Sequence, residues 1–194
     1  MNQPLVKNIV AAGLIGSVML ITGLVLWSWP DPSRPSATSV IRLLYQSAPG
    51  TSFSLLEAQE KQQSPADWRG QPVFVNFFAS WCARCRGEHP LFTDLRSAVT
   101  TPIIGIAYYD RAANAQQYLA EHGNPYTTVL WDKSGSGGRS WGVDAVPQSF
   151  VLDAAGTVMW HHRGPISATM LQNEIVPLLQ KLAAPPTAPV SAQQ

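Results

Sequence analysis

Residues 73–79 form a short run that is apolar except for Asn76, and within three residues of its end stands Trp81-Cys82-Ala83-Arg84-Cys85. A run this short and this apolar, introduced by Gly70-Gln71-Pro72, predicts a central strand covered on both faces. The two cysteines therefore fall where that strand ends and a helix from about residue 83 begins. No other feature limits the fold as much, because a buried strand that passes straight into a helix calls for a parallel partner reached by a crossover.

The rest of the pattern continues the alternation. A second buried strand is predicted over 103–109, then a helix capped by Asn114, carrying Tyr118 and Leu119 and ending near Gly123. Strands over 127–131, 148–152 and 158–162 follow, the last two joined by the hairpin-type turn Asp153-Ala154-Ala155-Gly156. A final amphipathic helix is predicted over 168–182, with Leu171, Ile175, Leu178, Leu179 and Leu182 near one face and Pro177 placed to kink it. The glycine-rich run 134–138 lacks the Gly-Lys-Ser/Thr ending of a phosphate loop and reads as a surface turn. The order β-α-β-α-β-β-α is that of a thioredoxin fold, an α/β domain with a central mixed β-sheet flanked by helices.

Both ends differ from this domain. Residues 9–29 carry no charge and are long enough to cross about 30 Å of hydrocarbon as a helix. Lys7 before them, Trp27 and Trp29 at the far end and Pro30-Asp31-Pro32 beyond fit an N-terminal transmembrane helix, and no small-x-small cleavage site follows Trp29. Lys7 and the terminal amine, the slight positive charge before the helix, direct the domain outward, into a periplasm-like space. The expected organisation is a membrane anchor over 1–30, a linker over 31–45, a thioredoxin-like domain over 46–183 and a disordered tail over 184–194. A net charge of +1 offers none of the basic field that nucleic-acid binding requires.

An exported chain whose two cysteines are Cys82 and Cys85 is not a disulfide-stapled scaffold, since a bridge closing so short a loop stabilises little. Redox chemistry explains them better. At a helix start the free amide N–H groups and the positive end of the dipole favour a thiolate, which makes Cys82 the expected nucleophile. Cys85, one turn later, would resolve the mixed disulfide. A zinc site would need two further ligands. His89 stands at i+7 from Cys82, so copper(I) ligation by Cys82, Cys85 and His89 is the alternative to a plain helix residue ahead of Pro90. Pro147, just before the strand at 148, is either a trans turn residue or a cis proline opposite Cys82; the cysteine pair favours the second.

Residues 70–90, with the run Cys82-Ala83-Arg84-Cys85-Arg86-Gly87-Glu88-His89, resemble the active-site segment of the TlpA/DsbE (CcmG) family. Gly123-Asn124-Pro125-Tyr126 and the block 141–153 resemble two further family segments. The resemblance implies a thiol:disulfide oxidoreductase, periplasmic and anchored in the inner membrane, that keeps the Cys-x-x-Cys-His thiols of apocytochrome c reduced during cytochrome c maturation. It implies a DsbD- or CcdA-like membrane protein as electron donor, and no cofactor beyond the redox-active Cys82–Cys85 disulfide. Two alternatives stay open: a TlpA-like reductant for another exported target, such as a copper-site assembly protein, and a Cu(I)-binding chaperone.

Two positions bear on the acids of the site. Gln148 departs from the DsbE pattern, which usually places Glu after the cis proline, and Asn76, as is common in DsbE-like proteins, stands where general thioredoxins carry a buried acid. Glu88 is then the remaining acid that could assist proton transfer at Cys85, or else a solvated residue of the helix. Trp81 would cover the disulfide and shape the docking surface, or serve as core packing. Val146, with Pro147, would offer its backbone to an extended substrate segment, as in strand addition.

Overall fold

The computed structural model describes residues 43–184, so the expected anchor, most of the expected linker and nearly all of the expected tail lie outside the described residues. In chain order the elements are β1 (Phe53–Leu55), β2 (Gln62–Gln63), β3 (Val73–Phe78), α1 (Ala83–Ala98), β4 (Ile103–Tyr108), α2 (Ala112–His122), β5 (Thr128–Asp132), α3 (Ser136–Ser140), β6 (Gln148–Leu152), β7 (Val158–Arg163), α4 (Ala168–Met170) and α5 (Val176–Ala183). They build one seven-stranded sheet in the order β2-β1-β5-β4-β3-β6-β7. β3, β4 and β5 pair in parallel, and β6, β7, β1 and β2 add antiparallel edges, the mixed thioredoxin-type sheet the alternation predicts. Among the described residues no helix is long and apolar enough to cross a membrane.

β3 shows why the apolar run is continuous. Its side chains alternate between two cores, Phe74 and Phe78 toward α1, α2 and α5, and Val73, Val75 and Phe77 toward Trp68, Trp141 and Phe150. Asn76 has the parity of Phe74 and Phe78, so its amide is delivered, fully buried, to the α1 side.

Two expectations need correction, and the disturbance expected at Pro177 is seen. α2 starts at Ala112 with Arg111 at the cap position, not Asn114, because the Asp110 carboxylate accepts the Arg111 N–H at 2.7 Å and so satisfies a helix-start donor before the expected cap is reached. The glycine-rich run is no plain turn: Ser136–Ser140 is a short helix. Gly137 and Gly138 are buried there, and a Cβ on the first would collide with the Phe53 ring and on the second would sit 2.6 Å from the Tyr108 ring, so packing overrides poor helix propensity. Near Pro177 the helix widens into a π segment, Leu171–Ile175, immediately before α5, where a proline lacks a donor and crowds the preceding turn. At the far end of the expected linker, Leu43 and Leu44 pack on the second core and Tyr45 N–H donates to Val158 O at 2.7 Å.

Candidate active site

The turn after β3 is built for the first cysteine. Ser80 N–H and Oγ–H both donate to the Asp110 carboxylate, at 2.6 and 2.9 Å, tying this turn to the end of β4. Cys82 N–H donates to Ala79 O, and the Cys82 residue caps α1, its sulfur accepting the Cys85 N–H at 3.1 Å. A helix N-cap normally uses an oxygen acceptor; a sulfur in that place is stabilised most when it is an anion facing an orphan donor and the dipole. Cys82 and Cys85 are joined in a disulfide, with Cα atoms 5.3 Å apart. Cys82 keeps 6% of its surface exposed and Cys85 only 2%, so a partner's sulfur reaches the first before the second.

The Val146–Pro147 peptide bond is cis, and the loop brings the Val146 carbonyl oxygen to 3.6 Å from Cys82 Sγ. Residues 64 positions apart in the chain meet here because β6 lies beside β3. Trp81 is 55% exposed, which removes core packing as its explanation. Its indole N–H donates to Tyr109 O at 3.1 Å, and both rings border an open groove of about 750 Å³ with Arg111, Trp131 and Lys133.

Glu88 follows Cys85 by one turn of α1 and is buried, not solvated. Its Oε2 accepts the Ile166 N–H at 2.7 Å and its Oε1 accepts the Asn76 amide at 3.2 Å. Asn76 also donates to Ser149 Oγ at 3.0 Å and accepts from the Tyr126 hydroxyl at 2.8 Å. Burial pushes the Glu88 carboxyl up to about 7, against the two hydrogen bonds that favour its charged form. A group that takes up and releases protons near neutrality thus lies one turn from the buried sulfur.

His89 does not join the cysteines. Its Nε2–H donates to Gly123 O at 2.8 Å, and its ring lies among Tyr118, His122 and Tyr126, on the α2 side of α1. Burial lowers its basicity. Among the described residues no three His, Cys, Asp or Glu side chains are grouped to hold a metal ion. His89 therefore stands apart from the two cysteines: i+7 places a side chain near the same helical face, but the contact with the α2 side decides where this ring goes.

Comparison with known proteins agrees with this geometry. Residues 45–175 match the Redoxin family model. Over 182 residues the chain is 34% identical to the thiol:disulfide interchange protein DsbE of Xylella fastidiosa, covering 94% of this chain and 90% of that one. It belongs to the DsbE family of thiol:disulfide oxidoreductases. The HelX thiol:disulfide interchange protein of Rhodobacter capsulatus is 36% identical over 173 residues, covering 88% of this chain and 92% of its own. A solved structure described as MTB dsbF in its mixed oxidized and reduced forms superposes with a TM-score of 0.58 at 26% identity, covering 69% of this chain and 95% of that one.

For a DsbE-family protein, the site also contains residues that sequence reasoning missed. Ser149, Tyr126 and the Ile166 N–H complete the Glu88 cage, and Asp110 clamps the turn before Cys82. Tyr126 sits in the Gly-Asn-Pro-Tyr segment, which was a usable signal; a backbone donor at Ile166 leaves none in the sequence.

Proposed function

We propose that this oxidoreductase is a membrane-anchored, periplasm-facing reductant of apocytochrome c in cytochrome c maturation. The observation that carries the catalytic part is Cys82 Sγ, at once the N-cap of α1 and 3.6 Å from the Val146 carbonyl. The Cys82 thiolate attacks one sulfur of the substrate disulfide; that S–S bond breaks and the released thiolate takes a proton. The resulting mixed disulfide is attacked by Cys85 after loss of its proton, with Glu88 as the nearby acceptor held by Asn76. The second substrate sulfur leaves as a thiol, and the Cys82–Cys85 disulfide of the present structure is the product. Two electrons and two protons pass to the substrate, with no other cofactor.

Trp81, Val146 and Pro147 form the surface against which the substrate segment lies. A DsbD- or CcdA-like membrane protein returns the electrons. The uncharged stretch 9–29 supports the inner-membrane anchor, and the DsbE and HelX relatives support the exchange chemistry. Gln148, in place of the usual Glu, favours one second reading, a reductant for another exported protein such as a copper-site assembly factor. The test is a Cys85→Ser chain in cells, which should accumulate a mixed disulfide between Cys82 and apocytochrome c, alongside loss of holocytochrome c on deletion. Absence of that adduct, with holocytochrome c unchanged by deletion, would refute the cytochrome assignment.

A further inference from the structure

The loop carrying the Val146 carbonyl has no regular secondary structure of its own between Trp141 and Gln148. What fixes it is the side chain of Gln148, fully buried at the start of β6. Its amide nitrogen donates to Ala145 O at 2.9 Å and to Asp144 Oδ1 at 3.3 Å, and its Oε1 faces His161 Nε2 at 2.9 Å. The reversed amide would set an oxygen against a carbonyl and a carboxylate, so the orientation is dictated by its neighbours. His161 Nε2 must then carry the proton. Its Nδ1 is buried without a hydrogen-bond partner among the described residues.

His161 lies directly across from Phe150 in the β6–β7 ladder and stacks on it, ring centroids 4.3 Å apart and planes 17° from parallel. The charged and titratable groups that bear on it are Asp144 from the loop, and His162 and Arg163 from its own strand. Asp144 is in turn paired with Arg163 at 2.7 Å. Burial, then His162 and Arg163, lower the imidazole to about 4, so the ring stays neutral at physiological pH. Pro147 O accepts the Gly164 N–H at 2.9 Å, a third tie from loop to β7.

We propose that Gln148 and His161 are a positioning pair for the substrate-binding carbonyl of Val146, a neutral latch that ties residues 144–147 to β7 and sets their height over Cys82. The proposal rests on the reading that a protein disulfide docks along Val146. It also explains why Gln suits this chain at 148: a carboxylate would face Ala145 O and Asp144 and would hold the loop only when protonated.

The test is single-turnover oxidation of the reduced full chain by two probes, a peptide with an internal Cys-x-x-Cys-His disulfide and 2-hydroxyethyl disulfide, which has no backbone to pair with Val146. His161→Phe keeps the ring stack and removes the donor. It should raise the half-saturating peptide concentration about five- to tenfold, the effect of one net hydrogen bond, with the maximal rate little changed. His161→Gln, which can still donate to Gln148, should recover most of that loss. Gln148→Glu should show a half-saturating concentration that climbs with pH between 6 and 8 relative to the unaltered chain. An unchanged value in His161→Phe, or equal slowing with both probes, overturns the latch. If the unaltered chain turns over the small disulfide but not the peptide, the substrate reading fails instead, and the latch loses its purpose with it.

Discussion

Replacing Glu88 by Gln should remove a pH dependence of stability that the wild-type domain owes to one buried carboxyl. The folded-state value of about 7 stands above the ordinary 4.5, so between these values the folded state binds more protons at this site than the unfolded chain. Stability is then fully present below about pH 4.5 and falls as pH rises through 7. The difference of about 2.5 units corresponds to roughly 3 kcal/mol, because one unit is about 1.36 kcal/mol. Urea unfolding of the oxidised protein, wild type and Glu88→Gln, at half-unit steps from pH 4.5 to 8.5 would give the two curves. Other titrating groups contribute to both and cancel in the difference. The wild type should lose roughly 3 kcal/mol relative to the variant across that range, steepest between pH 5 and 7. Parallel curves would refute the assignment of a proton to Glu88 near neutrality, and with it the place given to this residue beside Cys85.

Asp110→Ala strips the acceptor from three donors, Ser80 N–H, Ser80 Oγ–H and Arg111 N–H, at a site only 6% exposed. A loss of about 2–3 kcal/mol in denaturant unfolding is expected, and an unchanged midpoint would contradict the clamp. Gly105→Ala would place a Cβ 2.6 Å from the Tyr126 ring, whose hydroxyl is bonded to Asn76. Calorimetry should show destabilisation of about 1–3 kcal/mol, together with slower exchange through a disturbed Glu88 cage. Phe77→Ala, in the fully buried aromatic group with Trp141 and Phe150, should cost about 3–5 kcal/mol in chemical denaturation.

What the sequence conveyed was whatever depends on local pattern. The apolar run of β3, the cysteines at its end and the hairpin turn after β6 are all decided within a few residues and appear as expected, whereas the cis proline ahead of β6 was legible only through the distant cysteine pair. Short elements escaped, because β1 and β2, of 3 and 2 residues, are too brief to show a period. α3 escaped for a different reason: its helix is imposed by Phe53 and Tyr108 packing on glycines that would not choose it alone. His89 illustrates the limit of helical spacing, which specifies a face but not the neighbour that captures the side chain. The cage around Glu88 draws on β3, β6, the loop before β5 and the segment before α4, and no window along the chain contains that combination.

The central claim is that Cys82 and Cys85 deliver electrons to other proteins' disulfides, and the equilibrium of this pair with glutathione measures it most directly. A donor role requires a reduction potential at or below about −200 mV, within the range of reducing thioredoxin-fold proteins. A value near −120 mV would mean that the pair withdraws electrons from its partners, and the proposed direction of flow would be wrong.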